Sequence, residues 1–241
     1  MASVHRVELR GGLNTVWLID GRVHRPAGPW SSRVHALLRH VSAAGFEGAP
    51  EPFGFDADGR EVLSFVPGEV GHHFPMSDEA VISSARLLRR HHDATVGFVA
   101  GSDGWQCPPI EPAEVLCHGD FAQYNLVFEG DTAVGMIDFD WARPAPRWYD
   151  VAYGVYRFAL MDLERPLDRQ LRGAALFCDA YGASPATRRG VADNLPAYLI
   201  WMAEQVEQDP RFVTQRAEEH NRMYREHACL VPDLHTTLCP A

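Results

Sequence analysis

Apolar and polar positions alternate in short runs through the first quarter of the chain and recur at helical spacing through most of the rest. Val7 and Leu9 alternate with polar neighbours, Thr15 to Ile19 is largely apolar, and Arg22 to Arg25 follows a turn at Asp20-Gly21. Short strands are therefore expected between Val4 and Arg25, with Gly11-Gly12-Leu13-Asn14 as the first turn. From Ser31 to Ala44 the spacing becomes helical: Val34, Leu37, Leu38 and Val41 share one side, Ser31 or Ser32 supplies a cap and Gly45 a stop. Pro50 to Phe55 and Arg60 to Val66 read as a hairpin about the turn Asp56 to Gly59. A longer helix is expected over Ser77 to Ala94, capped by Ser77, with Asp78 and Glu79 in its first turn and Arg89 and Arg90 near its end, each charge matched to the helix dipole. Ala85, Leu88 and the His91-His92 region fall on the face expected to pack against the polar loop that begins at His118.

After a Gly/Pro-rich connection over 101–112 the pattern changes. An apolar run, Val115-Leu116-Cys117, enters the polar loop His118-Gly119-Asp120-Phe121-Ala122-Gln123-Tyr124-Asn125 and leaves through Leu126-Val127-Phe128. A turn at Glu129-Gly130-Asp131 returns the chain along Ala133 to Ile137, which ends in Asp138-Phe139-Asp140. Such a hairpin carries Asp120, Asn125 and Asp138 towards one point. Hard oxygen ligands of this kind suit magnesium with bound phosphates, and Asp140 stands as the alternative ligand to Asp138. Helices are expected at about 148–161, 166–181, 185–207 and 210–228. They carry Tyr153, Tyr156, Tyr198 and Trp201, with Glu204, Glu207 and Asp209 close behind. Aromatic faces and carboxylates together can hold a cationic acceptor, although the same spacing serves a core.

Composition narrows the picture. A chain of 241 residues, 46% hydrophobic and 22% charged, is ordinary for a globular protein of one large domain or two lobes. The formal net charge of −10 argues against nucleic acid as a partner, and no apolar run has the length of a membrane span. Five cysteines without a C-x-x-C pair point to free thiols in a reducing, cytoplasmic setting, and the N-terminus has no signal-peptide core. Nothing in the composition distinguishes a monomer from a dimer. His72-His73 lacks the further ligands of a zinc site and reads as a solvent-facing pair. The chain has no lysine, so all 22 basic residues are arginine.

An Asp followed five residues later by an Asn, with another Asp beyond, is the spacing of a kinase catalytic loop. In the form His118-Gly119-Asp120 and Ile137-Asp138-Phe139-Asp140 it resembles the aminoglycoside phosphotransferase and choline kinase family, the small-molecule branch of the kinase-like fold. The resemblance runs from about Val7 to Trp201 and is densest between Cys117 and Ala152. It implies an α+β, two-lobed fold. The N-terminal lobe, 1–66, would hold a small antiparallel sheet and one helix. The C-terminal lobe, 67–241, would be larger and mainly helical and carry the catalytic hairpin.

The resemblance further implies transfer of the γ-phosphoryl group of ATP or GTP, with Mg²⁺, to a hydroxyl of an aminoglycoside-, choline- or sugar-like small molecule, a chemistry associated with antibiotic resistance. It makes Asp120 the base and Asn125 and Asp138 the metal ligands. Arg25 would meet the phosphates, Gly11, Gly12 and Asn14 would cover them, and Phe65 and Val66 would form the adenine hinge. His118 and Asp150 would support the loop, and Trp141, Tyr153, Trp201 and Glu204 would line the acceptor site. Two departures stand out: Arg25 replaces the usual lysine, and no acidic residue lies between Ser31 and Ala44 to pair with it. The segment after Asp140 is too short to seat a polypeptide in the manner of protein kinases, which favours a small acceptor. Three other readings stay open: a nucleotide-binding pseudoenzyme, a kinase of peptide Ser or Thr, and an immunity protein that sequesters a toxin.

Overall fold

The computed structural model describes residues 6–9, 15–71, 76–98, 101, 103–162 and 164–239. The turn containing Gly11, Gly12 and Asn14 and the pair His72-His73 lie outside those residues. The strands β1 (Arg6–Leu9), β2 (Val16–Ile19) and β3 (Arg22–Arg25) form an antiparallel meander. Helix α1 (Ser31–Ala43) comes next, and then the hairpin β4 (Pro52–Phe55) and β5 (Glu61–Ser64) completes a five-stranded sheet in the order β1-β2-β3-β5-β4. Val34, Leu37, Leu38 and Val41 of α1 are buried, as their spacing requires. The expected serine cap is absent. Trp30 precedes the helix without a side-chain cap, and Ser31 Oγ instead accepts from Gly28 N at 3.0 Å, tightening the turn into α1.

The larger part of the molecule is mainly helical. Helix α2 (Asp78–Ala94) is capped by Ser77, whose Oγ accepts from Ala80 N at 3.1 Å. Its buried face includes Ala85, Leu88, His91 and His92. Against it lie two small sheets. One has the order β6-β8-β9, with β6 (Glu69–Val70), β8 (Leu126–Glu129) and β9 (Thr132–Met136); the other pairs β7 (Val115–Cys117) with β10 (Arg143–Ala145). Ser83 Oγ of α2 accepts from Ala133 N at 3.0 Å, so the helix fixes the height of the β8–β9 hairpin.

Helix α3 (Trp148–Val155) continues as a π turn over Tyr156–Leu160, and α4 (Leu167–Tyr181) and α5 (Pro185–Gln208) pack beside it. The single helix expected over 210–228 is divided into α6 (Val213–Ala217) and α7 (His220–Leu230), with α8 (His235–Leu238) beyond them. Arg216 Nη1 donates to Val206 O and Asp209 O, pinning α6 to the end of α5, and Glu219 takes a left-handed φ of 57° where the axis changes. Contacts back to the end of α5 override helical periodicity at this point.

The two parts meet at the end of the hairpin. Met136 N donates to Gly48 O at 2.8 Å, and Val66 Cγ1 lies 2.7 Å from where a Cβ on Gly135 would stand. Only glycine allows Val66 to pack this closely on β9.

Candidate active site

Strand β7 delivers the chain to His118, Gly119 and Asp120 at the edge of the helical part. Gly119 has a φ of +85°, and a Cβ there would meet the Trp141 carbonyl oxygen at 2.1 Å, so the loop closes onto the 139–141 segment only with glycine. Asp150, on α3, braces the loop from beneath. Its Oδ2 accepts from His118 N at 2.6 Å and from His92 Nε2 at 3.0 Å, while Oδ1 accepts from Gly119 N at 2.9 Å. Burial alone would raise the Asp150 pKa, but the His92 hydrogen bond and the backbone donors outweigh it and hold the carboxyl down at about 2. Burial lowers the pKa of His92, which donates to Asp150 while its Nδ1 accepts from Tyr181 Oη at 2.7 Å. His92, Cys117 and Asp150 lie close enough together to resemble a metal cluster. Their polar atoms are already committed to one another, to Tyr181 and, for Cys117 Sγ, to the Pro146 carbonyl. This is a hydrogen-bonded brace.

His118 ties the loop to the returning strand. Its Nε2 donates to Ile137 O at 2.9 Å and its Nδ1 accepts from Asp120 N at 3.3 Å, which places the ring hydrogen on Nε2. Asp120 is gripped on both oxygens: Oδ2 accepts from Asn125 Nδ2 at 2.8 Å, and Oδ1 accepts from Tyr124 Oη at 2.7 Å. Burial raises the Asp120 pKa, and the Tyr124 hydrogen bond opposes that shift. Asn125 Nδ2 also donates to Asp120 O at 2.9 Å. With its amide hydrogens spent on Asp120, Asn125 keeps its side-chain oxygen as a free acceptor. Tyr124 was not among the residues that sequence reasoning singled out. Its hydroxyl continues to Tyr153 Oη at 3.1 Å and from there to Tyr224 Oη at 3.4 Å, a chain running from the loop through α3 to α7.

Across from this loop, Arg25 reaches down from β3. Its Nη1 donates to Asp138 Oδ1 at 2.8 Å, its Nη2 pairs with Asp140 Oδ2, and its Nε lies 3.0 Å from Glu61 Oε1. Burial would lower the arginine pKa, but Asp138, Asp140 and Glu61 together raise it. Asp140 is raised to about 6 by burial and by Asp138, against the pull of Arg25. Asp138 adopts a left-handed φ of 64°. That conformation is uncommon without glycine, costs on the order of 1 kcal/mol, and collects at functional sites. The Asp138 side chain is 48% exposed.

The carboxylate missing from α1 is supplied by a different element. Glu61 stands directly opposite Arg25 in the β3–β5 ladder, and its Oε2 is held at 3.0 Å by Nε2 of His35, a buried residue of α1. The helix therefore acts on Arg25 through His35 and Glu61. A sequence signal existed, since a buried acid on a strand needs a cationic partner, but the β3–β5 register was not readable from the chain.

The remaining expected positions divide. Phe65 and Val66 lie between β5 and β6, Phe65 exposed and Val66 packed on Gly135. Trp141 and Trp201 meet edge to face at 5.9 Å, and Tyr153 is buried with its hydroxyl in the tyrosine chain. Glu204 lies near enough to Arg225 of α7 to help raise its pKa. Asp138 and Asp140 meet through Arg25, and the adjoining segment brings Asn125 beside their strand through Ile137 N, which donates to Asn125 O at 2.9 Å. Carboxylate and amide oxygens of this kind are the chemistry that suits a hard divalent cation such as magnesium, with Arg25 as the balancing positive charge.

The family model described as "Phosphotransferase enzyme family" matches residues 102–192. The trifolitoxin immunity protein of Rhizobium leguminosarum bv. trifolii is 35% identical over 205 residues, covering 79% of this chain and 78% of that protein. Among solved structures, an amicoumacin kinase in complex with AMP-PNP, Ca²⁺ and its ligand superposes with a TM-score of 0.70 at 12% identity, over 98% of this chain and 90% of that one. An ethanolamine kinase of Plasmodium vivax superposes with a TM-score of 0.67 at 14% identity, over 95% and 83%. The small sheet lobe with one helix and the large, mainly helical lobe are thus those of the kinase-like fold, and the chain belongs to the phosphotransferase enzyme family.

Proposed function

We propose that the protein transfers the γ-phosphoryl group of ATP or GTP to a hydroxyl of a small molecule bound beside Asp120. The observation that carries this reading is the joint placement of Asp120, Asn125 and Asp138 on two adjoining segments, with Arg25 opposite. The nucleotide lies between the lobe of 1–66 and that of 67–241, its base against Phe65 and Val66 and its phosphates under Gly11, Gly12 and Asn14. Asp120 orients the acceptor hydroxyl and takes its proton, helped by a pKa that burial has raised. Arg25 steadies the phosphates that stay behind, and Asn125 and Asp138, with Asp140 as the alternative, hold the divalent ion. A bound magnesium supplies charge neutralisation across the phosphate oxygens. His118 and Asp150 keep the loop in place. Acceleration then comes mainly from positioning and charge balance.

ADP or GDP release with each nucleotide, measured over a panel of aminoalcohols, sugars and antibiotics, tests the reading. Asp138→Asn is expected to lower metal-dependent turnover by about a thousandfold. Asp120→Asn is expected to lower it by about a hundredfold or more with nucleotide affinity preserved. Full activity in Asp120→Asn removes Asp120 as the base.

A second reading has one specific observation in its favour, the 35% identity to an immunity protein. Such a protein, acting in the cytoplasm, can protect by modifying a toxic small molecule or by sequestering it. Protection in cells that survives the combined loss of Asp120 and Asp138 selects sequestration, and protection that disappears selects catalysis.

A further inference from the structure

The carboxylates expected to hold a cationic acceptor are otherwise engaged. Glu207 pairs with Arg225, Asp209 pairs with Arg211, and Glu204 also acts on Arg225. The unbalanced charge in the aromatic cluster has the opposite sign. Arg143, at the start of β10, is 2% exposed, and no carboxylate among the described residues pairs with it. Its guanidinium carbon lies 5.1 Å from the Tyr149 ring centre and 5.2 Å from that of Trp201, and its Nε and Nη2 are buried without hydrogen-bond acceptors. The hydroxyls of Tyr149 and Tyr198 are also buried and interact only with one another, and these two rings stand 4.9 Å apart. Cys107 is a polar neighbour of the arginine, and its thiol pKa is raised by burial and lowered by Arg143.

Aromatic faces soften the burial of a guanidinium but offer no in-plane acceptor. A buried, unpaired cation is costly, and a cluster of unsatisfied donors calls for a missing acceptor. The cluster adjoins the loop: Asp120 acts on the Tyr198 hydroxyl, Tyr198 packs 5.3 Å from Tyr153, and Tyr153 bonds Tyr124, which bonds Asp120. Trp201 of the cluster also meets Trp141, both half-buried, and Trp141 directly follows Asp140 in the chain.

We infer that Arg143, with the Tyr149 and Tyr198 hydroxyls, binds a carboxylate carried by the acceptor, so that the substrate class is a hydroxyl compound bearing an anionic group. This rests on the phosphotransfer reading for the hydroxyl but not for the anion. A free small anion offers the same chemistry, and the experiment separates the two sources.

The wild-type protein, without nucleotide and in low-salt buffer, is titrated with N-acetyl-L-serine, its neutral amide and acetate while the melting temperature is followed. The expected result is a rise with N-acetyl-L-serine, a smaller rise with acetate and none with the amide. Arg143→Met should melt at or above the wild-type temperature in the absence of these anions and bind N-acetyl-L-serine about 10- to 100-fold more weakly. Tyr198→Phe should weaken binding a few-fold with no change in melting temperature, which keeps the test decisive if Arg143→Met does not fold. Equal responses to acid and amide, no response up to roughly 50 mM, well above a millimolar Kd, or undiminished binding in Tyr198→Phe and Arg143→Met overturns the site. With Mg·ATP present, ADP release driven by hydroxy acids and not by their amides supports the acceptor assignment. Release driven equally by neutral alcohols overturns it and leaves any anion site to free anions. Carboxylate binding that depends on Arg143, with no ADP release from any acceptor, sinks the phosphotransfer reading and upholds the anion site.

Discussion

Arg25 and Arg143 are both nearly fully buried, at 7% and 2% exposure, yet their surroundings are opposites. Arg25 touches three carboxylates, one from its own sheet and two from the segment after β9. Arg143 has aromatic faces and no carboxylate partner among the described residues. A buried ion pair that loses one member is strongly destabilised, whereas a buried charge that never had a partner is already costly and gains when one arrives. The first arginine therefore belongs to a balanced network in which a metal and a triphosphate can redistribute charge. The second is unbalanced until something anionic binds. On the function proposed above, the difference would set the nucleotide side apart from the acceptor side.

The contrast breaks most visibly in stability. Glu61→Ala strips Arg25 of its sheet partner and leaves His35 without its carboxylate, at an expected cost of about 3 kcal/mol in chemical denaturation. Arg143→Met, which removes an uncompensated charge, should cost nothing or stabilise. If both substitutions destabilise alike, the two arginines do not differ in the way described.

Asp150 is a buried carboxylate whose pKa is held at about 2, below the ordinary 3.8, so the folded state favours its charged form. Its stabilisation is complete above an unfolded-state pKa of about 4 and is lost as the pH falls towards 2; the total is roughly 2 kcal/mol. Asp150→Asn should flatten this part of the pH dependence in denaturation midpoints collected from about pH 5 down to about pH 3. An unchanged slope would mean that Asp150 is not the group responsible.

Tyr124→Phe is the smallest perturbation. Loss of one hydrogen bond to Asp120 should lower kcat about fivefold, with the nucleotide KM and the melting temperature little changed. A drop in melting temperature with kcat intact would make Tyr124 structural and not a positioning residue.

How much could be read from the chain varies from one element to the next. The cap at Ser77, the buried faces of α1 and α2 and the turn at Asp56 to Gly59 were legible, because short-range hydrogen bonds and periodicity decide them. The loop from His118 to Asn125 was legible as spacing, and its contacts with Asp120 are local. Glu61 was not. Its meeting with Arg25 depends on which strands become neighbours, and β3 pairs with β5 across the intervening helix. The division at Glu219 was also hidden, because it results from Arg216 reaching back to α5.

By itself the sequence determined most of the strands and helices and their order, since these arise from contacts a few residues apart, while the two-lobed kinase-like plan was what its resemblance to a known family implied. Only the tertiary structure decided the charge balance. Whether an arginine is neutralised depends on strand register and helix packing over 36 residues for Glu61 and 113 for Asp138. Electrostatic energies in a low-dielectric interior turn on distances of a few ångströms that no local pattern encodes.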